Sequence, residues 1–157
     1  MRGSCALLKN PKAMSLTRQE LVANYTPEDK RSFLAVLLRM ARADEVSAAE
    51  RDLLQPIAEW MNVTDADLEE AARRAFDCSV SLADLTRQHR TAKKGMLLFR
   101  EACAVIWVDS RKSEAEGCTL QELGALLGLA ADVTTVLDSP LACSPEGERR
   151  FLELLEA

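Results

Sequence analysis

The sequence has few of the residues that most enzymes use for catalysis near neutral pH. It contains a single histidine, His89, and aromatic residues make up only 4% of its 157 residues. His89 has no cysteine or histidine at metal-ligand spacing, and neither a G-x-S-x-G nucleophile motif nor a glycine-rich phosphate loop occurs. These absences argue against an enzyme, leave a small hydrolase as the weakest alternative, and predict that His89 lies at the solvated end of a short helix.

Closely spaced cysteine pairs are also missing. The five cysteines are far apart and odd in number, at positions 5, 78, 103, 118 and 143. This pattern excludes a disulfide framework and a thiolate zinc site, and it favours the reducing cytoplasm. We expect Cys103, which lies within an apolar helix, to be a small buried residue without chemical function.

No hydrophobic run approaches the length of a membrane span. The uncharged run Ala102–Val108 has seven residues, whereas a transmembrane helix needs about 20. The apolar part of the N-terminal segment is too short for a secretory signal peptide. We therefore expect a soluble cytoplasmic domain over residues 15–157. It is preceded by an N-terminal extension, residues 1–14, part of which is expected to be vector-derived, with Met14 as the native start.

The charge is negative and unevenly distributed. The net charge of −5 disfavours nucleic-acid binding, which requires many cations facing phosphates. Residues 44–70 carry nine acids and one arginine, whereas residues 87–100 carry five basic residues and no acid. Arg100 is the fifth of these basic residues, and we expect the other four, Arg87, Arg90, Lys93 and Lys94, to be solvated and to pair with nearby acids. The alternative is peripheral docking on an anionic lipid surface or on an acidic protein.

Alanine, leucine, glutamate and arginine dominate the chain, and their periodicity predicts an all-α, single-domain helical bundle of about seven to eight helices. Helix starts are predicted at several places where a hydroxyl residue precedes an acid by three positions and can cap the first turn, including Thr26, Thr64, Ser81 and Ser113. Leu68, Ala71, Ala72, Ala75 and Phe76 are expected to face inward. The predicted central helices span residues 27–43, 47–61, 94–108 and 114–127.

The chain contains two similar helix-turn-helix units. With Ser47 and Ser113 as origins, matching residues occur at equal offsets: Glu50 and Glu116, Ile57 and Leu123, Met61 and Leu127, Val63 and Leu129. Each unit has two amphipathic helices and cannot cover its own apolar face, so we expect the two units to pack together as a four-helix centre. Pseudo-symmetry would then bring the two acidic turns close to each other.

The two acidic turns have related patterns at the joint between two helices. The first is D-x-x-S-x-x-E and the second is D-x-x-x-S-x-x-E, formed by Asp44, Ser47 and Glu50 and by Asp109, Ser113 and Glu116. Over residues 26–137, this duplicated pattern resembles the TerB-like family of tellurite-resistance and stress-response domains. The resemblance implies an all-helical fold, an acidic metal-binding cluster, and a role in protein assemblies linked to metal stress, phage defence or the membrane.

The resemblance identifies four candidate metal ligands: Asp44, Glu50, Asp109 and Glu116. Carboxylate oxygens suit a divalent cation such as Mg²⁺, Ca²⁺ or Mn²⁺, and Zn²⁺ is a further candidate. An EF-hand is excluded, because the twelfth position counted from Asp109 is Leu120 rather than glutamate. In the alternative interpretation these side chains only cap their helices, and the protein is a metal-free helical scaffold or adaptor for a protein partner. No catalytic or cofactor-binding residue is assigned, and the oligomeric state is left open.

Overall fold

The computed structural model describes residues 16–41, 55–59, 61–107 and 112–156. All regular structure within these ranges is helical, as the composition predicts. In chain order the helices are α1 (Leu16–Ala23), α2 (Pro27–Ala41), α3 (Asp65–Ala75), α4 (Leu82–Thr86), α5 (Ala92–Trp107), α6 (Glu114–Leu126), α7 (Ala131–Leu137) and α8 (Pro145–Glu156). Residues 55–59 are helical too, and 3₁₀ turns cover Arg87–His89 and Pro140–Cys143.

Hydroxyl and acid pairs set where the helices begin. The Thr64 and Ser81 hydroxyls accept from the amides of Asp67 and Asp84, while each carboxylate accepts from the amide of the capping residue. Ser113 and Glu116 form the same reciprocal pair at α6. Each reciprocal pair, called a capping box, provides hydrogen-bond acceptors for two amide groups that would otherwise lack partners at the start of the helix. Residues no more than three positions apart therefore determine where these helices begin. The capping predicted from the sequence is confirmed at all three helices.

The core lies around α2 and α5, which pack against each other. The α2 residues Phe33, Leu34 and Leu37 are fully or almost fully buried, and Leu97 and Cys103 of α5 are buried as well. Helix α3 packs along α2, while α6, α7 and α8 pack around α5. A helix that is apolar on most of its surface belongs in the centre of a bundle, as its sequence predicts.

Arg39 ties the end of α3 to α2. Its guanidinium donates to the carbonyl oxygens of Arg74, Ala75, Asp77 and Val80 at 2.7–3.3 Å. Burial lowers the pKa of this arginine. The carbonyls at the C-terminal end of a helix lack partners within the helix, so Arg39 satisfies them from a neighbouring element.

The helical segment 55–59 and helix α6 end in the same turn. Asn62 and Gly128 have positive φ angles of 56° and 70°. The amide after each of them donates to a carbonyl five residues back, at 3.2 Å from Val63 and 3.1 Å from Leu129. Both ends are therefore Schellman motifs, with a left-handed residue just beyond the helix. Asn62 and Gly128 each lie fifteen positions after the serine that starts their unit, at matching places of the proposed repeat.

The expectation that Phe76 faces inward is wrong. Phe76, the C-cap residue of α3, is 44% exposed, so it does not face inward. No helix in the described ranges has both the length and the apolar character required to cross a lipid bilayer.

Candidate functional site

Only one of the four predicted metal ligands belongs to the described residues. Asp44, Glu50 and Asp109 lie outside them. Glu116 is 7% exposed in the first turn of α6, where its Oε1 accepts from the Ser113 amide at 2.8 Å. The described part of the chain contains no group of three or more His, Cys, Asp or Glu side chains placed to hold a metal ion. Glu116 therefore acts as a helix cap in this structure.

A polar cluster that the sequence did not reveal is buried between α2 and the Arg87–His89 turn. Ser32 Oγ lies 2.8 Å from His89 Nε2 and also donates to the Asp29 carbonyl oxygen at 3.1 Å. If the single hydroxyl proton of Ser32 is directed to the Asp29 carbonyl, the contact requires the neutral tautomer in which His89 Nε2 carries the proton and Nδ1 does not. His89 is fully buried and Ser32 is 1% exposed.

Aromatic rings and one ion pair enclose this histidine cluster. The Tyr25 and Phe33 rings both have centroids 5.8 Å from the His89 ring. Lys94 Nζ lies 5.1 Å from the Tyr25 ring centroid and 3.8 Å from Asp29 Oδ2. Burial raises the pKa of Tyr25 well above its usual value, and nearby carboxylates add to this shift. The cluster thus joins α2 to the start of α5 through polar contacts.

The prediction that His89 is solvated is wrong. Leu82, Leu85, Thr86 and His89 follow one another at the spacing of a single helix face, and all four are buried. This continuation of the apolar face of α4 into the 3₁₀ turn is the signal that could have placed His89 inside. Because histidine is ordinarily a polar residue, it was not counted as part of this apolar face.

Burial lowers the pKa of His89 to about 4, from an ordinary value of 6.5. The folded chain therefore disfavours the imidazolium, and its stability should fall as pH drops from about 6.5 to about 4 because the unfolded chain binds the proton first. The shift corresponds to about 3 kcal/mol of unfolding free energy. Urea unfolding across this pH range should show the loss, and NMR should give the pKa of the sole histidine directly.

The control for this prediction is His89→Gln, which cannot titrate. In this variant the loss of stability above about pH 4.5 should disappear, while carboxylate protonation still destabilises the protein at lower pH. An NMR pKa near 6.5 in the folded protein would contradict the burial of this ring.

A second buried polar cluster joins α5 to α8. Arg100 is 2% exposed, with Nη2 3.3 Å from Glu148 Oε1 and Nη1 3.4 Å from Glu101 Oε2. Its guanidinium also lies 6.0 Å from the Phe151 ring centroid. Helix α8 therefore covers Arg100 and supplies a carboxylate to it.

The other basic residues before and within α5 match the expected solvated surface. Arg87 pairs with Asp84 at 2.9 Å, and Lys94 pairs with Asp29 at 3.8 Å. Arg90 donates to the Ala83 carbonyl oxygen, and Lys93 is exposed. Two of these four charges therefore have acidic partners nearby, and Arg90 has a carbonyl partner.

An open groove separates α6 from α7. It has a volume of about 430 Å³ and is lined by apolar, amide and hydroxyl side chains together with one carboxylate: Phe99, Leu120, Gln121, Gly124, Ala125, Leu129, Ala131, Thr134, Thr135 and Asp138. Asp138 closes one end, where it accepts from Trp107 Nε1 and Lys112 Nζ, both at 2.7 Å. These contacts connect Asp138, just after α7, to the end of α5 and to Lys112.

Comparisons of this chain with family models, with curated proteins and with solved structures find no significant match. The evidence for a function therefore comes from the groove, the buried clusters and the sequence resemblance.

Proposed function

We propose that this chain is a non-enzymatic helical binding module that docks a protein partner in the groove between α6 and α7. The groove carries the proposal because it combines an apolar floor with hydroxyl and amide groups on an open surface. Binding sites commonly have this combination, in which apolar surface contributes affinity and a few polar groups fix orientation. Fold alone would not support a binding role, since helical bundles host many functions.

The position of the Ser32–His89 pair supports a role without catalysis. A serine 2.8 Å from a histidine resembles a nucleophile and its base, but the hydroxyl proton points to the Asp29 carbonyl. A cleft of about 280 Å³ between α2, α3 and α4 reaches Ser32, and the ion pair between Arg74 and Glu28 lines it. Ser32 is still only 1% exposed, so a substrate has little access to its oxygen.

We further propose that the module is TerB-like and is built from two related helical hairpins. The matching Schellman turns at Asn62 and Gly128 support this duplication, since equal geometry occurs at equal offsets. Contact between α2 and α5, the first helices of the two units, supports it as well. As a TerB-like module, the protein would work in the cytoplasm in assemblies linked to tellurite or metal stress. It would bind no nucleic acid and would contact a membrane only peripherally.

Two versions of this proposal differ in whether a metal is bound. In the first, Asp44, Glu50, Asp109 and Glu116 hold a divalent cation. In the second, the chain is a metal-free adaptor. The geometry of Glu116 favours the second version, because its carboxylate already accepts from the Ser113 amide.

We expect no binding heat when metal-free protein is titrated with Mg²⁺, Ca²⁺, Mn²⁺ or Zn²⁺ in a calorimeter. We also expect Glu116→Gln to lower the unfolding free energy by about 0.3–1 kcal/mol, because glutamine can still accept from the Ser113 amide but the negative charge in the first turn is lost. The matched control is Glu114→Gln, which changes an exposed acid of the same turn. Heat with any of these cations that Glu116→Gln abolishes and Glu114→Gln preserves would establish the metal-binding version instead.

Filling the groove should abolish partner docking without unfolding the module. Ala125 lines the groove and is exposed, so Ala125→Trp should block it and change the unfolding free energy by less than about 1 kcal/mol. The matched control is Ala66→Trp, on the exposed side of α3. In-cell crosslinking should recover proteins with the wild type and Ala66→Trp that are lost with Ala125→Trp. Identical partner sets for all three proteins would refute docking at this groove.

A further inference from the structure

We propose that residues 81–91 form a flap that separates from α2 when His89 takes up a proton, while α2 and α5 stay packed. The flap consists of α4, the Arg87–His89 turn and the residues next to them. This inference is independent of partner docking, because no residue of the flap lines the groove between α6 and α7. It depends on how the flap is attached, on how little of it is buried and on the surroundings of His89.

The flap lies between two parts of the chain that are attached to the core. Just before it, the Arg39 guanidinium binds the carbonyl oxygens of Asp77 and Val80 at 3.3 and 2.7 Å. Just after it, α5 begins at Ala92, and every residue of this helix from Met96 to Ile106 is buried. The flap can therefore move without α3 or α5 leaving the core.

One side-chain hydrogen bond connects the flap to the rest of the described chain, and His89 makes it. Its Nε2 lies 2.8 Å from Ser32 Oγ on α2. The flap's other side-chain hydrogen bonds with described partners stay inside it, and they join Ser81 with Asp84, Thr86 with Leu82 and Ala83, Arg87 with Asp84, and Arg90 with Ala83. The contact with α2 therefore depends on the one histidine of the chain.

Few side chains hold the flap against the core. Of its eleven residues, only Leu82, Leu85, Thr86 and His89 are buried. Local opening costs less free energy where fewer apolar contacts are broken. The flap should therefore open more easily than the whole domain unfolds.

A proton on His89 is poorly accommodated while the flap is closed. The ring is fully buried, and its Nδ1 has no hydrogen-bond partner among the described residues. Protonation would place a positive charge there and would turn Nδ1 into a donor without an acceptor. In the open flap, water would solvate both ring nitrogens. Proton uptake therefore favours the open state.

Neighbouring charges on the packed helices do not remove this cost. Asp29 of α2 favours the imidazolium, whereas Lys94 of α5 disfavours it. Tyr25, between α1 and α2, stays neutral because burial raises its pKa, and the carboxylates of Asp29 and Glu101 add to that shift. Burial therefore remains the largest influence on the histidine ring.

The charges on the flap itself are all at the surface. Asp84, Arg87 and Arg90 are exposed, and Arg87 pairs with Asp84 at 2.9 Å. In the closed protein the pKa of His89 is lowered to about 4 from 6.5. Because opening restores the ordinary pKa, the open fraction should rise about tenfold per pH unit as pH falls from about 6.5 to about 4.

Native-state amide exchange between pH 6.5 and 5 tests the flap in the full chain. The Leu85 amide donates to the Ser81 carbonyl oxygen, and its protection factor should fall by at least about tenfold over this range. Low urea concentrations should change it little, because a small opening exposes little surface. Amides in the middle of α5 should be protected at least about tenfold more strongly and should respond to urea, since they exchange through global unfolding.

Two substitutions assign the effect to the contact between His89 and α2. His89→Gln cannot titrate, so flap protection should no longer depend on pH between 6.5 and 5. Ser32→Ala removes the hydrogen bond and should lower flap protection about two- to tenfold at both pH values, with the pH dependence retained. The matched control is Ser79→Ala, which changes an exposed serine just before the flap whose hydroxyl bonds to Asp77, and it should behave as the wild type.

The wild-type protein supplies a further measure that does not depend on a substitution. Above about pH 7, His89 is neutral in both states, so flap protection should be nearly constant between about pH 7 and 8. Three results would overturn the inference. They are flap amides that share the protection and the urea response of α5, a pH dependence that persists in His89→Gln, and a protection factor that keeps changing tenfold per pH unit above pH 7.

Discussion

Replacing Gly147 by alanine should lower the unfolding free energy by about 3 kcal/mol or more. Gly147 lies in the first turn of α8, against the Pro140–Cys143 turn. An added Cβ would overlap the Leu141 carbonyl oxygen and lie 2.8 Å from the Leu141 carbonyl carbon. Both atoms belong to the backbone, so α8 or the turn must shift as a unit to make room. Chemical denaturation followed by circular dichroism measures the loss.

The matched control is Gly117→Ala in α6. A Cβ there would meet only Lys112 Cε, at 3.7 Å, which is an ordinary contact. The unfolded chain has fewer accessible conformations with alanine than with glycine at this position. The unfolding free energy of this variant should therefore rise by about 0.5–1 kcal/mol. A similar effect of the two substitutions would show that α8 does not pack closely on the Pro140–Cys143 turn.

Replacing Arg100 by methionine should cost about 3–5 kcal/mol of unfolding free energy. Methionine preserves much of the side-chain volume but removes the cation that Glu148 and Glu101 face inside the protein. Removing one partner of a buried ion pair leaves the desolvation cost of the other without compensation. The loss should be visible in equilibrium urea unfolding, and α8 should become the first helix to exchange its amide hydrogens.

A double-mutant cycle tests this assignment. Adding Glu148→Gln to Arg100→Met should recover part of the loss, because the carboxylate charge that faced Arg100 is then removed as well. Arg149→Met in the same helix is the control, since Arg149 is exposed and pairs within one turn with Glu146. It should cost less than about 1 kcal/mol. Additive losses for Arg100→Met and Glu148→Gln would mean that the two side chains do not stabilise each other.

Much of the helical pattern could be predicted from the sequence because short-range interactions determine it. Thr64, Ser81 and Ser113 cap helices through acids three residues away, and Gly128 ends α6 as expected. Such contacts require no knowledge of the rest of the fold. The candidate metal site is different, because its four carboxylates come from two turns separated by about sixty residues and only Glu116 is described.

The sequence by itself determined the helical class, the capped helix starts and the burial of the most apolar helix, because each depends on periodicity or on neighbours within one turn. Only the tertiary structure decided the surroundings of His89 and Arg100. Their partners Ser32 and Glu148 are 57 and 48 residues away in the chain. It also decided the packing around Gly124, where a Cβ would lie 3.0 Å from Thr134 Cγ2 and 3.4 Å from Phe99 Cε1. A polar side chain carries no local signal of whether another helix will cover it, since burial depends on how whole helices pack.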